Sequence, residues 1–245
     1  MGDDRLRARD RGRSEPDQGH GAARPIGRGL PAHRAEELWQ RVGDYLLHDH
    51  RVTEGEPGPD IFVLDMRDVP WDGPAGVTLT AAWDGHGMAA TQSHAMTFNE
   101  FPVTRIAWPG QFRRIQENTG ALTQCCFTAV IVGIVDVALD TARQRVTPRR
   151  NDQRAYERVE WSKAEPEGWL IQQAYEGMLR AMEQDRDRRY HAVQAKTAIA
   201  ELAESILRRI SKVIGGGTFS QSSPFGYWYE DVRALGFLRP PWGLA

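Results

Sequence analysis

The feature that most limits what this chain can fold into is residues 122–145, about 24 positions with no proline and no cluster of turn residues. Its middle, from Val130 to Val137, is rich in β-branched side chains and would suit a strand by propensity alone. Length decides otherwise, because strands rarely run past about ten residues while helices of this size are ordinary. The stretch therefore reads as a helix about 36 Å long. It is apolar on most sides, so it needs cover from several neighbours and belongs at the centre of a helical bundle. Asn118 or Thr119 is the expected N-cap.

The neighbours follow in sequence. In 196–214, Ile199, Leu202, Ile206, Ile210 and Val213 recur at spacings of three and four, Ala203, Leu207 and Ile214 widen the same face, and Glu204 precedes Arg208 by one turn on the other side. Residues 149–160 and 166–186 are two further helical pieces. A break is expected between them at the Glu165-Pro166 pair, since proline disfavours a helical residue before it. A charge-dense link follows over 184–190. Gly215, Gly216 and Gly217 stop the 196–214 helix, where one glycine would satisfy a C-cap. Three leave two readings: a backbone that closely approaches a ligand phosphate or another helix, or a mobile loop. A turn at Ser222, Ser223 and Pro224 then leads into a short aromatic segment, 225–229.

Upstream, 35–47 carries a short amphipathic helical pattern (Leu38, Trp39, Val42, Leu46), and 54–59 is turn chemistry. Residues 61–66, 77–83 and 93–103 read as strands of one small antiparallel sheet of three or four strands. Residues 1–34 interleave arginine with Asp, Gly and Pro, cannot bury enough apolar surface to offset ordering, and are expected to be disordered. The fold expected is α+β: a disordered tail over 1–34, a partial β-domain over 35–109, and an up-and-down helical bundle over 110–245.

Charge excludes little, with 31 basic against 33 acidic residues for a net −2. It gives no reason to expect nucleic acid or an anionic membrane surface as partner. Cys125 and Cys126 are adjacent in an apolar run with no other cysteine, which points to small core residues in a reducing cytoplasm. The apolar run 125–135 ends at Asp136, short of a bilayer span. Asp136 and Asp140 have no accompanying histidine, so they are expected to be solvated or paired with arginine, and no metal site is expected.

Two motifs carry a family resemblance. The first is the order of an Ala-rich helix, Gly215-Gly-Gly-Thr-Phe219, Ser223-Pro-Phe-Gly226 and Glu230-Asp-Val-Arg-Ala234. The second is Trp83-Asp-Gly-His-Gly-Met-Ala-Ala-Thr-Gln-Ser93, continuing to Phe98-Asn-Glu and Pro102-Val. Together they resemble the end of the middle β-domain and the C-terminal helical domain of the flavin-dependent acyl-CoA dehydrogenases, from about residue 60 to the C terminus. Ala89 stands where that family usually has arginine.

The resemblance implies FAD, an acyl-CoA thioester substrate of fatty acid metabolism, α,β-dehydrogenation, and self-association through the bundle. It carries over Arg143, in Arg143-Gln-Arg-Val-Thr147, as an arginine reaching the FAD pyrophosphate of a neighbouring subunit. It carries over Gly215 and Gly216 as the loop facing that same FAD. Arg143 also has a plain reading as a cation near a helix C-terminus. The family's catalytic glutamate has no counterpart: the segment after the glycine loop, 232–241, holds none, and Thr123 occupies the alternative position on the first bundle helix. Tyr175-Glu176-Gly177-Met178 imitates the missing motif, leaving Glu176 as a weak catalytic candidate in mid-helix. Asp231 matches a structural Arg-Asp pair and is expected to cap or pair. The expectation is thus an FAD-associated oxidoreductase, either a truncated reading frame or a shortened relative of that family, with little activity alone. The alternatives are a flavin-dependent monooxygenase on the same fold or a non-catalytic oligomerisation protein.

Overall fold

A computed structural model describes residues 37–38, 40–42, 45–52, 59–106 and 109–238, with side chains from 61 onward. The tail 1–34 lies outside these residues, as does the chain after Leu238. Among the described residues four α-helices make an up-down-up-down bundle: α1 (Phe112–Val146), α2 (Ala155–Glu183), α3 (Arg188–Ile214) and α4 (Pro224–Phe237). Antiparallel neighbours are visible in the side chains. Arg143 of α1 meets Glu165 of α2, whereas Tyr175, later in α2, reaches back to Cys125. The bundle's main core cluster includes Ile131, Val135, Ala138, Ile171, Ile206, Leu207 and Val232, and Cys125, Met178 and Ala192 form a smaller separate one.

The central helix is longer than the sequence pattern shows. It begins at Phe112, and the residues expected to cap it lie inside. Asn118 Nδ2 donates to Arg114 O at 2.7 Å and Thr119 Oγ1 to Ile115 O at 2.8 Å, so each satisfies its side chain on the preceding turn. By length and composition α1 could cross a membrane; in this fold it is the shared core helix, packed against α2, α3 and α4.

Helix α2 does not break at Pro166, contrary to the sequence expectation. An interior proline costs about 3 kcal/mol through its missing N–H and ring clash. Packing and charge on both flanks offset that here. Ala164, Gly168 and Ile171 are buried, and Arg209 of α3 spans the proline, donating to Glu160 at 2.6 Å and to Glu167 at 2.9 and 3.0 Å. Lys212 adds a bond to Glu160 at 3.0 Å. Residues 147–152 form a separate 3-10 turn before α2, and α3 starts at Arg188 rather than near Lys196. The expected Glu204–Arg208 pair is not formed among the described residues.

The β region differs from the expected single sheet. Strands β1 (Glu37–Leu38), β6 (Ala95–Phe98) and β5 (Val77–Ala81) form one sheet in that order. Strands β2 (Gln40–Val42), β3 (Tyr45–Val52), β4 (Pro59–Asp65) and β7 (Thr104–Arg105) form the other. All pairings are antiparallel. The segment read as an amphipathic helix is strand wherever it is described, because partners in β4 and β6 give its backbone a ladder that so short a periodic pattern cannot outcompete. A small core of Leu64, Met66, Val77, Met96, Phe98 and Phe101 fills the space beneath.

Candidate functional site

Two places join the elements that the sequence motifs marked. The first is a seam between residues 83–93 and α4. Gly87 has φ +83°, and a Cβ there would lie 2.4 Å from the Glu230 carbonyl oxygen, so only glycine allows this backbone-to-backbone approach. The next residue, Met88, is also left-handed at φ 53°, and its N–H donates to Asp231 Oδ1 at 2.6 Å. A carboxylate accepting a backbone N–H makes a strong bond, which fastens the loop to the bundle. Asp231 thus pairs with main chain where Ala89 offers no guanidinium. Thr91 Oγ1 closes the turn onto Met88 O at 2.8 Å.

The second place is the end of the bundle where α3 stops. Gly215 caps α3 at φ +88°, its N–H bonded to Ser211 O at 2.9 Å, and residues 216–219 make one 3-10 turn. A Cβ on Gly215, Gly216 or Gly217 would meet nothing within 4 Å, so this backbone is open to an incoming group. Arg149 Nη2 donates to Val213 O at 2.5 Å, tying the turn after α1 to the last turn of α3. The Arg145 guanidinium lies 5.3 Å over the Phe225 ring.

This arrangement of four helices beneath two small sheets recurs in solved structures. KijD3 in complex with FMN and dTDP-3-amino-2,3,6-trideoxy-4-keto-3-methyl-D-glucose matches with TM-score 0.63 and 22% identity, over 82% of this chain and 52% of that one. Glutaryl-coenzyme A dehydrogenase in its glutaryl-CoA complex matches with TM-score 0.61 and 17% identity, over 81% and 52%. A protein of Mycobacterium abscessus described as a probable acyl CoA dehydrogenase matches with TM-score 0.63 and 15% identity, over 87% and 64%. The fold is that of the acyl-CoA dehydrogenases. This chain spans between half and two thirds of the length of these proteins. No protein-family model matches it, and a search of curated proteins finds no match.

Within the acyl-CoA dehydrogenase fold, the carried-over residues occupy different places. Arg143 lies on the α1–α2 side, 46% exposed, with its fork on Glu165 at 3.0 and 3.2 Å and a further bond to Asp140. The Glu165 hydrogen bond raises its pKa against the opposing effect of burial. Gly215 and Gly216 lie at the same end of the bundle, just past the end of α3, with no contact to Arg143 among those described. Asp136 accepts from Gln172 Nε2 at 2.8 Å. Glu176 is exposed and paired with Arg180 at 2.9 Å. It stands about 24 Å along α2 from Glu160, the residue level with Lys212 and the glycine loop. Thr123 Oγ1 donates to Thr119 O at 3.1 Å. No cluster of three metal-ligating side chains is found among the described residues.

Sequence reasoning missed Arg149, which it placed in a helix, and the approach of Gly87 to Glu230. Two glycines flanking a histidine at 85–87 were the available signal for the latter. For a flavin pyrophosphate the corner fits in kind: open glycine backbone beside arginines. Arg143 would have to exchange carboxylate partners to take part.

Proposed function

We propose that this protein is a flavin-associated oxidoreductase of the acyl-CoA dehydrogenase fold. In this reading it takes FAD at the corner of Gly215, Gly216 and the arginines after α1, between bundles of self-associated copies in the cytoplasm. The observation that carries this is the glycine loop, whose backbone is unobstructed and lies beside a guanidinium-rich turn. A bound flavin would supply hydride acceptance, while the chain's own residues would orient its pyrophosphate. Arg143 and Arg149 suit that task, because a planar fork donates two parallel hydrogen bonds to phosphate oxygens. Exposed Val130, Val137 and Trp169 on α1 and α2 supply apolar surface for self-association.

The acyl-CoA dehydrogenase reaction itself is proposed to be weak or absent. A positioned base contributes about 10²- to 10⁴-fold, and neither family position for it carries a carboxylate here. The test is a purified chain mixed with FAD or FMN, dialysed, and scanned for flavin absorbance. Retained FAD with no dye reduction by short- to long-chain acyl-CoA is the expected result. A colourless protein in both arms overturns the flavin reading. Robust turnover abolished by Glu176→Gln would place the base on α2.

A second reading is a flavin-dependent monooxygenase, which needs no α-proton base. The missing carboxylate favours it, as does the likeness to KijD3 with its FMN and dTDP-sugar. Retention of FMN over FAD, with a dTDP-aminosugar but not an acyl-CoA becoming oxygenated when NADH and a flavin reductase keep the FMN reduced, would select it.

A further inference from the structure

Beside the seam lies a cleft of about 780 Å³ that the flavin reading does not use. Its walls are apolar and come from both regions: Trp83 and Met88 from the loop, Phe237 from α4. Its ionisable side chains are His86 from the loop, Glu204 from α3, and Glu230 and Arg233 from α4. The last two neutralise each other, Arg233 Nη1 donating to Glu230 at 3.1 and 3.3 Å, and the Arg233 guanidinium also lies 5.7 Å over the Tyr229 ring.

Glu204 is different. It is half-buried, and among the described residues no cation or hydrogen-bond donor engages it, Arg208 one turn on included. It also lines an adjoining cleft of about 360 Å³ together with Glu201 and Arg208, and Arg208 makes no hydrogen bond or ion pair with it among the described residues. A partly desolvated carboxylate without a partner gains from a cation more than an exposed one does. An indole face adds to that preference. The volume is that of a small-molecule site, and a few polar groups among apolar walls is the usual composition of one.

We propose that this cleft binds a primary ammonium carried on a flat apolar body, the charge on Glu204 and the body against Trp83 and Phe237. Glu204 precedes Gly216 by three turns of α3, about 18 Å, so this site is separate from the flavin corner and stands or falls without it.

The test is an NMR titration of the full chain with three probes of one shape: phenethylamine, phenethyl alcohol and phenylacetate. Phenethylamine is expected to saturate, with the alcohol about fivefold weaker or more and the acid weaker still. Glu204→Gln should weaken the amine by about fivefold and leave the alcohol within about twofold, while Glu201→Gln changes neither. Equal binding of amine and alcohol, or amine binding indifferent to Glu204→Gln, overturns the proposal. Ala234→Leu covers the case in which Glu204→Gln does not fold. It fills the cleft wall and should abolish binding of the amine, so undiminished amine binding in that variant also overturns it.

Discussion

The bundle and the β region solve the same burial problem with unequal means. Among the described residues the bundle gathers sixteen buried side chains into one core, and Arg209 braces α2 to α3 across two carboxylates. The β region gathers six beneath two sheets, each with edge strands on both sides. Small open sheets are marginal alone, because little apolar surface offsets the ordering of their backbones. The seam therefore matters more to the sheets than to the helices: Gly87 and Met88 rest on α4, but α4 already has α1 and α3 to pack against.

The largest effect should come from cutting the bundle core. Ile206→Ala, at a fully buried position, is expected to cost about 2–5 kcal/mol, measured by denaturant unfolding. Helical and aromatic signals should be lost together, since the sheets have no support without the bundle. Val77→Ala in the smaller core is the contrasting cut, expected to leave the helical transition in place. A helical transition that shifts equally for both would break the comparison.

Gly87→Ala comes next, at about 1–3 kcal/mol, from strain at positive φ and the clash with Glu230 O. Hydrogen exchange should accelerate over 77–98 and stay slow over 131–142. Uniform acceleration would mean that the seam holds both regions equally.

Pro166→Ala should act in the opposite direction and raise stability by roughly 1 kcal/mol, because it restores an N–H to α2. A lowered melting temperature would show that α2 needs the proline's shape.

The smallest effect concerns pH. Hydrogen bonds from Lys212 first and Arg209 second hold the Glu160 carboxyl below its ordinary pKa. A depressed carboxyl contributes stability above its unfolded pKa and loses it as pH falls through the folded one. Glu160→Gln should therefore flatten the acid limb of the melting curve below about pH 4.5. An unchanged limb would mean that other carboxylates set it.

Much of the bundle was legible because its helices bury broad faces, and a stripe such as Ile199, Leu202, Ile206 and Ile210 has no good alternative to a helix. The ends were less so. Asn118 and Thr119 look like caps in sequence and are interior residues once their side chains bond backward. Pro166 looks like a break because Arg209, 43 positions later, is invisible to local reasoning. The short strands near the N terminus depend on partners far along the chain, and there a brief 3.6-residue pattern misled. Of the site, the glycine loop and Asp231 could be read from type and order, whereas the cleft beside Glu204 exists only through packing.

The contact at the seam also decides which side of it can drift over evolutionary time. Glu230 contributes only its main-chain carbonyl to the meeting with Gly87, and every amino acid carries one. Side chains at 230 can turn over without disturbing the join. Position 87 has no such latitude, for any replacement brings a Cβ into that oxygen. Two residues in one contact thus face opposite selection, and lineages descending from this chain should vary at one while remaining fixed at the other.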